Sequence, residues 1–135
     1  MSAVRIAIIG SPRAGKTTLA LRMAEQLGLP VTHSDDFIRM GWSAQSEEIA
    51  NRIRDAPHMG GIFEGGAVVR ALRKLLATET DRPVQRCVLL TKPLVPLSDS
   101  QDRMRLGCAT VLAQILPELE RRGVEIVRPR GPVVV

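Results

Sequence analysis

Eight consecutive residues, Gly10-Ser11-Pro12-Arg13-Ala14-Gly15-Lys16-Thr17, carry the most legible chemistry in this chain of 135 residues. Gly, four residues, then Gly-Lys-Thr is the spacing of a loop that wraps a phosphate. The glycines permit backbone geometry that a side chain would block, so successive N–H groups can face one anion. A helix opening at the end of such a loop adds about half a positive charge at its N-terminus. Lys16 can then reach the β- and γ-phosphates of ATP, and the Thr17 hydroxyl can ligate Mg²⁺. The expected ATP-binding set is Gly10, Ser11, Pro12, Arg13, Ala14, Gly15, Lys16, Thr17 and Thr18.

Phosphoryl transfer needs further parts: a group that positions the nucleophile and positive charge near the transferring phosphate. Asp35 and Asp36 follow a short apolar stretch, and either can accept the proton of an acceptor hydroxyl. One is expected to be the base, with Asp35 preferred, and the other to cap the following turn. Glu64 ends another apolar stretch and is expected to hold Mg²⁺ through water; the alternative is an acid satisfying free N–H groups at a helix start. Arg103 and Arg105 are expected to reach the phosphates from a short lid, or else to lie on a solvated helix face. Arg39, Trp42 and Arg70 are candidates for the acceptor pocket. His33 reads as structural, and His58 has no recognisable partner.

The elements that must position these residues alternate along the chain. Val4 to Ile9 is an unbroken apolar run, as expected of a strand buried on both faces. Leu19, Ala20, Met23, Ala24 and Leu27 recur at helical spacing, predicting a helix over 15–27 that stops at Gly28 and Pro30. A short strand over 31–34 precedes the acidic pair, and the Gly41 region reads as a loop. A helix over 44–55 follows, with Glu47 and Glu48 in its first turn and Pro57 at its end. Next come a strand over 61–63, a helix over 67–77, a strand over 86–91 and a helix over 99–122 that Pro117 should kink or split. A strand over 124–127 and a Pro-rich tail over 128–135 close the chain. Strict β-α alternation predicts a parallel sheet with helices on both faces in one domain over 1–135. Ligands bind such sheets beyond the carboxyl ends of the strands, where the candidate residues fall.

Composition narrows the classes. The hydrophobic fraction of 44% is enough for a core, and with two Phe, one Trp and no Tyr that core must be aliphatic. No apolar segment approaches the roughly 20 residues of a membrane span, and the start of the chain reads as a strand rather than a signal peptide; a cytoplasmic protein is expected. Cys87 and Cys108 lie in apolar runs and read as reduced core residues. The net charge is +5, all of it in the second half: residues 1–67 carry seven Lys/Arg and seven Asp/Glu, residues 68–135 twelve and seven. Nucleic acid is a possible partner on charge alone but is not favoured, because almost no aromatic residue is available to stack bases.

The residues resemble a P-loop kinase of the nucleoside and nucleotide kinase type, within the P-loop NTPases. Gly-Ser-Pro-Arg-Ala-Gly-Lys-Thr at 10–17, Ser-Asp-Asp-Phe-Ile at 34–38 and Phe-Glu-Gly at 63–65 carry the likeness. The resemblance implies a single-domain three-layer α/β fold whose five-stranded parallel sheet runs in the order 2-3-1-4-5. It implies an ATP- and Mg²⁺-dependent kinase with the acceptor base at Asp35, the strand-three acid at Glu64 and lid arginines at Arg103 and Arg105. The expected activity is transfer of phosphate from ATP to a small molecule, first of all a nucleoside or nucleotide. The alternatives are a nucleic-acid 5′-hydroxyl kinase or nucleic-acid-associated ATPase, and a non-catalytic nucleotide-binding module. A GTPase is disfavoured: Thr91-Lys92-Pro93 stands where Asn-Lys-x-Asp would read guanine. The chain is short for the family, and the adenylate kinase signature Asp-Gly-Phe-Pro-Arg is absent, so the acceptor is left open.

Overall fold

Short apolar runs separated by amphipathic ones bury both of their faces only when helices cover a parallel sheet on either side. The chain folds in this way. The computed structural model describes residues 4–56 and 60–129. In chain order the elements are β1 (Arg5–Gly10), α1 (Lys16–Leu27), β2 (Val31–His33), a 3-10 segment (Ser34–Met40), α2 (Trp42–Arg54), β3 (Gly61–Glu64), α3 (Val68–Thr78), β4 (Arg86–Leu90), α4 (Asp99–Arg121) and β5 (Glu125–Val127). All pairings are parallel, and the sheet order is β2-β3-β1-β4-β5, as the resemblance implied.

Alternation along β1 divides the core. Ala7 and Ile9 face one side, where Ile49 and Ile53 of α2, Leu72 of α3 and Val111, Ile115 and Leu119 of α4 pack. Ile6 and Ile8 face the other, against Leu19 and Ala20 of α1 with Ile62 and Val88 beside them. Each fully buried Ile or Leu contributes about 1.5–3 kcal/mol relative to exposure, and Ile6, Ile8 and Ile9 are at most 1% exposed. Cys87 and Cys108 are free thiols, both buried.

Several boundaries differ from the sequence expectation. The stretch after β2 is not a simple loop: residues 34–40 wind into the 3-10 segment, held because Gln45 Nε2 donates to the Ser34 carbonyl at 2.7 Å. Helix α2 begins at Trp42 rather than Ala44, so Glu47 and Glu48 lie beyond its first turn. There they pair with Lys74 at 3.6 Å and Arg52 at 3.1 Å instead of serving the helix dipole. Helix α4 runs unbroken through Pro117. Burial of Ile115 and Leu119 on either side of the proline keeps the last turn packed in the core. The Ser98 hydroxyl accepts from the Gln101 N–H at 3.2 Å, and the Gln101 side chain accepts from the Ser98 N–H at 3.0 Å, a reciprocal cap that fixes where α4 starts. The expectations for Pro57, for His58 and for 130–135 of the tail lie outside the described residues. Among those described, no helix is long and apolar enough to cross a membrane.

Candidate active site

Gly10 ends β1 at a point where nothing larger fits. A Cβ there would sit 1.8 Å from the Leu90 carbonyl oxygen, which accepts from the Ser11 N–H at 2.9 Å. The loop is thereby pinned to the end of β4. Helix α1 then starts at Lys16 with no side-chain cap and no acid in its first turn, leaving its N-terminal dipole uncompensated by the protein. Lys16 Nζ lies over the loop, donating to the Ser11 carbonyl at 2.6 Å and more distantly to that of Gly10 at 3.4 Å. Burial pushes its ammonium below the usual lysine range, with Glu64 the largest opposing influence and Asp35 a smaller one.

The second half of the site comes from sheet register. His33 and Glu64 are directly paired on β2 and β3, so their side chains leave the same face of neighbouring strands. His33 Nδ1 lies 2.7 Å from Glu64 Oε1, and the Thr17 hydroxyl donates to that same oxygen at 3.2 Å. Glu64 is 4% exposed. It does not cap α3, which has no acid in its first turn. Reading His33 as merely structural missed this contact. Its signal was available: in the order 2-3-1-4-5, residues ending strands two and three are neighbours.

These parts surround one cleft of about 410 Å³, lined by Gly10, Pro12, Arg13, Gly15, Lys16, Thr17 and Thr18 of the loop, and by Asp35 and Glu64 opposite. Ser11 and Ala14 are buried beneath the loop. Ile38, Gly65, Gly66, Gln101, Met104 and Cys108 complete the walls. The structure brings together fewer of the proposed catalytic cations than expected. Arg103 is exposed and outside the cleft, and Arg105 is tied to Asp102 at 2.9 Å. For Arg103 this follows from helical spacing, because the side of α4 facing the cleft is that of Gln101, Met104 and Cys108; Arg105 lies near that side, four residues after Gln101, but its guanidinium is engaged by Asp102. Arg13, in the left-handed backbone region at φ 60°, is the arginine that lines the cleft. Asp36 and Arg39 are exposed and lie outside the lining. Trp42 and Arg70 also lie outside it, but stack on each other, with the guanidinium 5.0 Å from the indole centroid.

Gly65 makes the turn from β3 into α3 possible. Its φ is 125°, and a Cβ there would lie 1.9 Å from the Ser34 hydroxyl oxygen. That hydroxyl accepts from the Ala67 N–H at 3.4 Å, linking the acid-bearing segment to the start of α3. Gly65→Ala is expected to destabilise the protein by about 2–5 kcal/mol, summing backbone strain and overpacking. A denaturant melt checks this; a midpoint equal to the wild type's would mean the two segments do not approach so closely. The cysteines give a milder probe. Burial pushes the Cys87 thiol up to about 12, whereas Cys108 lines the cleft and donates to the Gly66 carbonyl at 3.5 Å. Iodoacetamide followed by peptide mass mapping is expected to label Cys108 first and Cys87 only on unfolding.

The sheet order, the loop and the acid at the end of β3 together define the fold of the P-loop kinases. Among solved structures, the chain is similar to a shikimate kinase from Acinetobacter baumannii in complex with shikimate, at 17% identity and TM-score 0.54, over 96% of this chain and 85% of that one. A shikimate kinase from Bacteroides thetaiotaomicron aligns at 18% identity and TM-score 0.48, over 94% and 86%. At such identity the likeness is one of fold. No protein-family model matches the chain, and no curated protein matches it.

Proposed function

We propose that this protein is an ATP-dependent phosphotransferase acting on a hydroxyl of a small molecule. The observation that carries the reading is the single cleft in which Lys16 and Thr17 face Asp35 and Glu64. In this reading the N–H groups of 10–17 and the Lys16 ammonium hold the triphosphate, and Arg13 adds positive charge beside it. Asp35 accepts the proton of the acceptor hydroxyl as its oxygen attacks the terminal phosphorus and ADP leaves.

The oxygens of Thr17 and Glu64, 3.2 Å apart, suit Mg²⁺, a hard cation that usually combines one or two protein oxygens with water and phosphate. Thr17 would ligate it directly and Glu64 through water, with His33 holding the Glu64 carboxylate in place. The ion would neutralise charge on the phosphates.

The nucleoside or nucleotide acceptor expected from the sequence is one candidate. A neighbour in fold whose structure contains shikimate adds non-nucleotide acceptors to the set. Apolar Ile38 beside Asp35 and the Trp42–Arg70 stack nearby fit an acceptor with an apolar face and an anionic group. The test is ADP release with Mg²⁺-ATP across nucleosides, nucleotides, shikimate and small alcohols. Acceptor-dependent release is expected for one class. ATP binding with no transfer to any of them would favour a non-catalytic nucleotide-binding module instead.

A further inference from the structure

At the opposite end of the sheet from the phosphate loop lies a second cleft, of about 510 Å³, lined by Arg5, Arg82, Arg121 and Arg122 with Asp81 among them. Strand β1 joins the two sites, Arg5 opening it and Gly10 closing it. At about 3.3 Å per residue they are some 16 Å apart. The arginines arrive from three directions: the start of β1, the turn between α3 and β4, and the end of α4.

Much of their hydrogen bonding goes to carbonyl groups. Arg122 donates to the carbonyls of Leu76, Glu79 and Asp81 at 2.8–3.0 Å, closing the end of α3. Arg5 donates to those of Ile53 and Arg82, and Arg82 to that of Gly123. Carbonyl oxygens satisfy donors but leave the positive charge uncompensated. Two carboxylates oppose the four cations here: Asp81, and Glu118 paired with both Arg121 and Arg122. Glu79 is engaged by Arg54 at 2.8 Å. Arg5 Nε is the one buried side-chain nitrogen or oxygen without a hydrogen-bond partner among the described residues. Burial, and next the charge of Arg82, hold the Arg5 guanidinium below the usual arginine range.

We propose that this cleft is a second anion site, which binds a small molecule bearing phosphate groups through Arg5 and Arg82. Guanidinium forks match phosphate oxygens in pairs, and an anion between Arg5 and Arg82 relieves their mutual repulsion. The cleft is a shallow, open concavity, and no aromatic residue lines it to stack a base, so a small phosphoanion fits it better than a single-stranded nucleic acid. It also accounts for part of the basic excess of residues 68–135, which the phosphate loop does not use.

The probe is pyrophosphate, titrated calorimetrically at low salt into Lys16→Ala protein so that the loop at 10–17 does not compete. Binding is expected, and adding Arg82→Gln should weaken it by about tenfold or more. That substitution keeps the backbone carbonyl used by Arg5, and circular dichroism melts check that each variant folds. No binding to Lys16→Ala, or binding indifferent to Arg82→Gln, overturns the proposal. So does a single-stranded oligonucleotide that binds where pyrophosphate does not. If Lys16→Ala does not fold, tungstate soaked into wild-type crystals gives the position directly. Anomalous density between Arg5 and Arg82 supports the site, and density at 10–17 alone overturns it.

Discussion

Lys16→Ala is expected to lower phosphate transfer by about 10³-fold or more, with little change in the melting temperature. The ammonium is partly drawn out of water, which pushes its pKa below the usual lysine range, and it lies over the loop on the Ser11 and Gly10 carbonyls. A cation in such a place acts on phosphate with a far less screened field than one in water. No other lysine lines the cleft, and Arg13 projects from the loop rather than from the helix start, so nothing substitutes for it. Stability is spared because the alanine removes a desolvated charge along with two hydrogen bonds. Steady-state ADP release and a thermal melt on the same samples separate the effects. Turnover within a few-fold of wild type would remove the loop from the chemistry.

Asp35→Asn is expected to reduce kcat by about 10²–10⁴-fold, the range for loss of a general base. Asn keeps the shape and loses the proton acceptor. Asp36→Asn should leave turnover near the wild-type value, because Asp36 lies outside the cleft that Asp35 lines. ATP binding should survive in both. It can be followed by thermal protection, since a ligand at one hundred times its Kd adds about 2.7 kcal/mol. The reverse ranking of the two variants would transfer the role to Asp36. Loss of ATP protection in Asp35→Asn would mean that the carboxylate serves the nucleotide side rather than the acceptor.

How far the sequence reached depended on the range of the signal. The loop at 10–17 and the strands around it were legible because each is a local pattern: a glycine spacing, a run of aliphatic residues, a helical stripe. The acid at 64 was legible as a strand end. What was not legible depended on contacts distant in sequence. Which of Asp35 and Asp36 lines the cleft depends on a 3-10 winding tied by the Gln45–Ser34 hydrogen bond between separate elements. Arg103 and Arg105 have the right chemistry and sit near the right strand, yet helical phase turns Arg103 from the cleft and an ion pair with Asp102 engages Arg105. The unbroken passage of α4 through Pro117 shows packing of Ile115 and Leu119 overriding a local breaker.

The central place of β1 has a consequence for how the molecule assembles. Ile6 lies opposite Ile62 on one side and Arg86 on the other, so the strand precedes both of its neighbours by long stretches of chain. Closing loops of that length before any pairing is gained makes the nucleus slow to form. Until then Ile6, Ile8 and Ile9 form an uncovered β-prone segment, the kind that associates between chains. Refolding yield should therefore fall with protein concentration, and a fragment ending at residue 56 should not acquire the sheet.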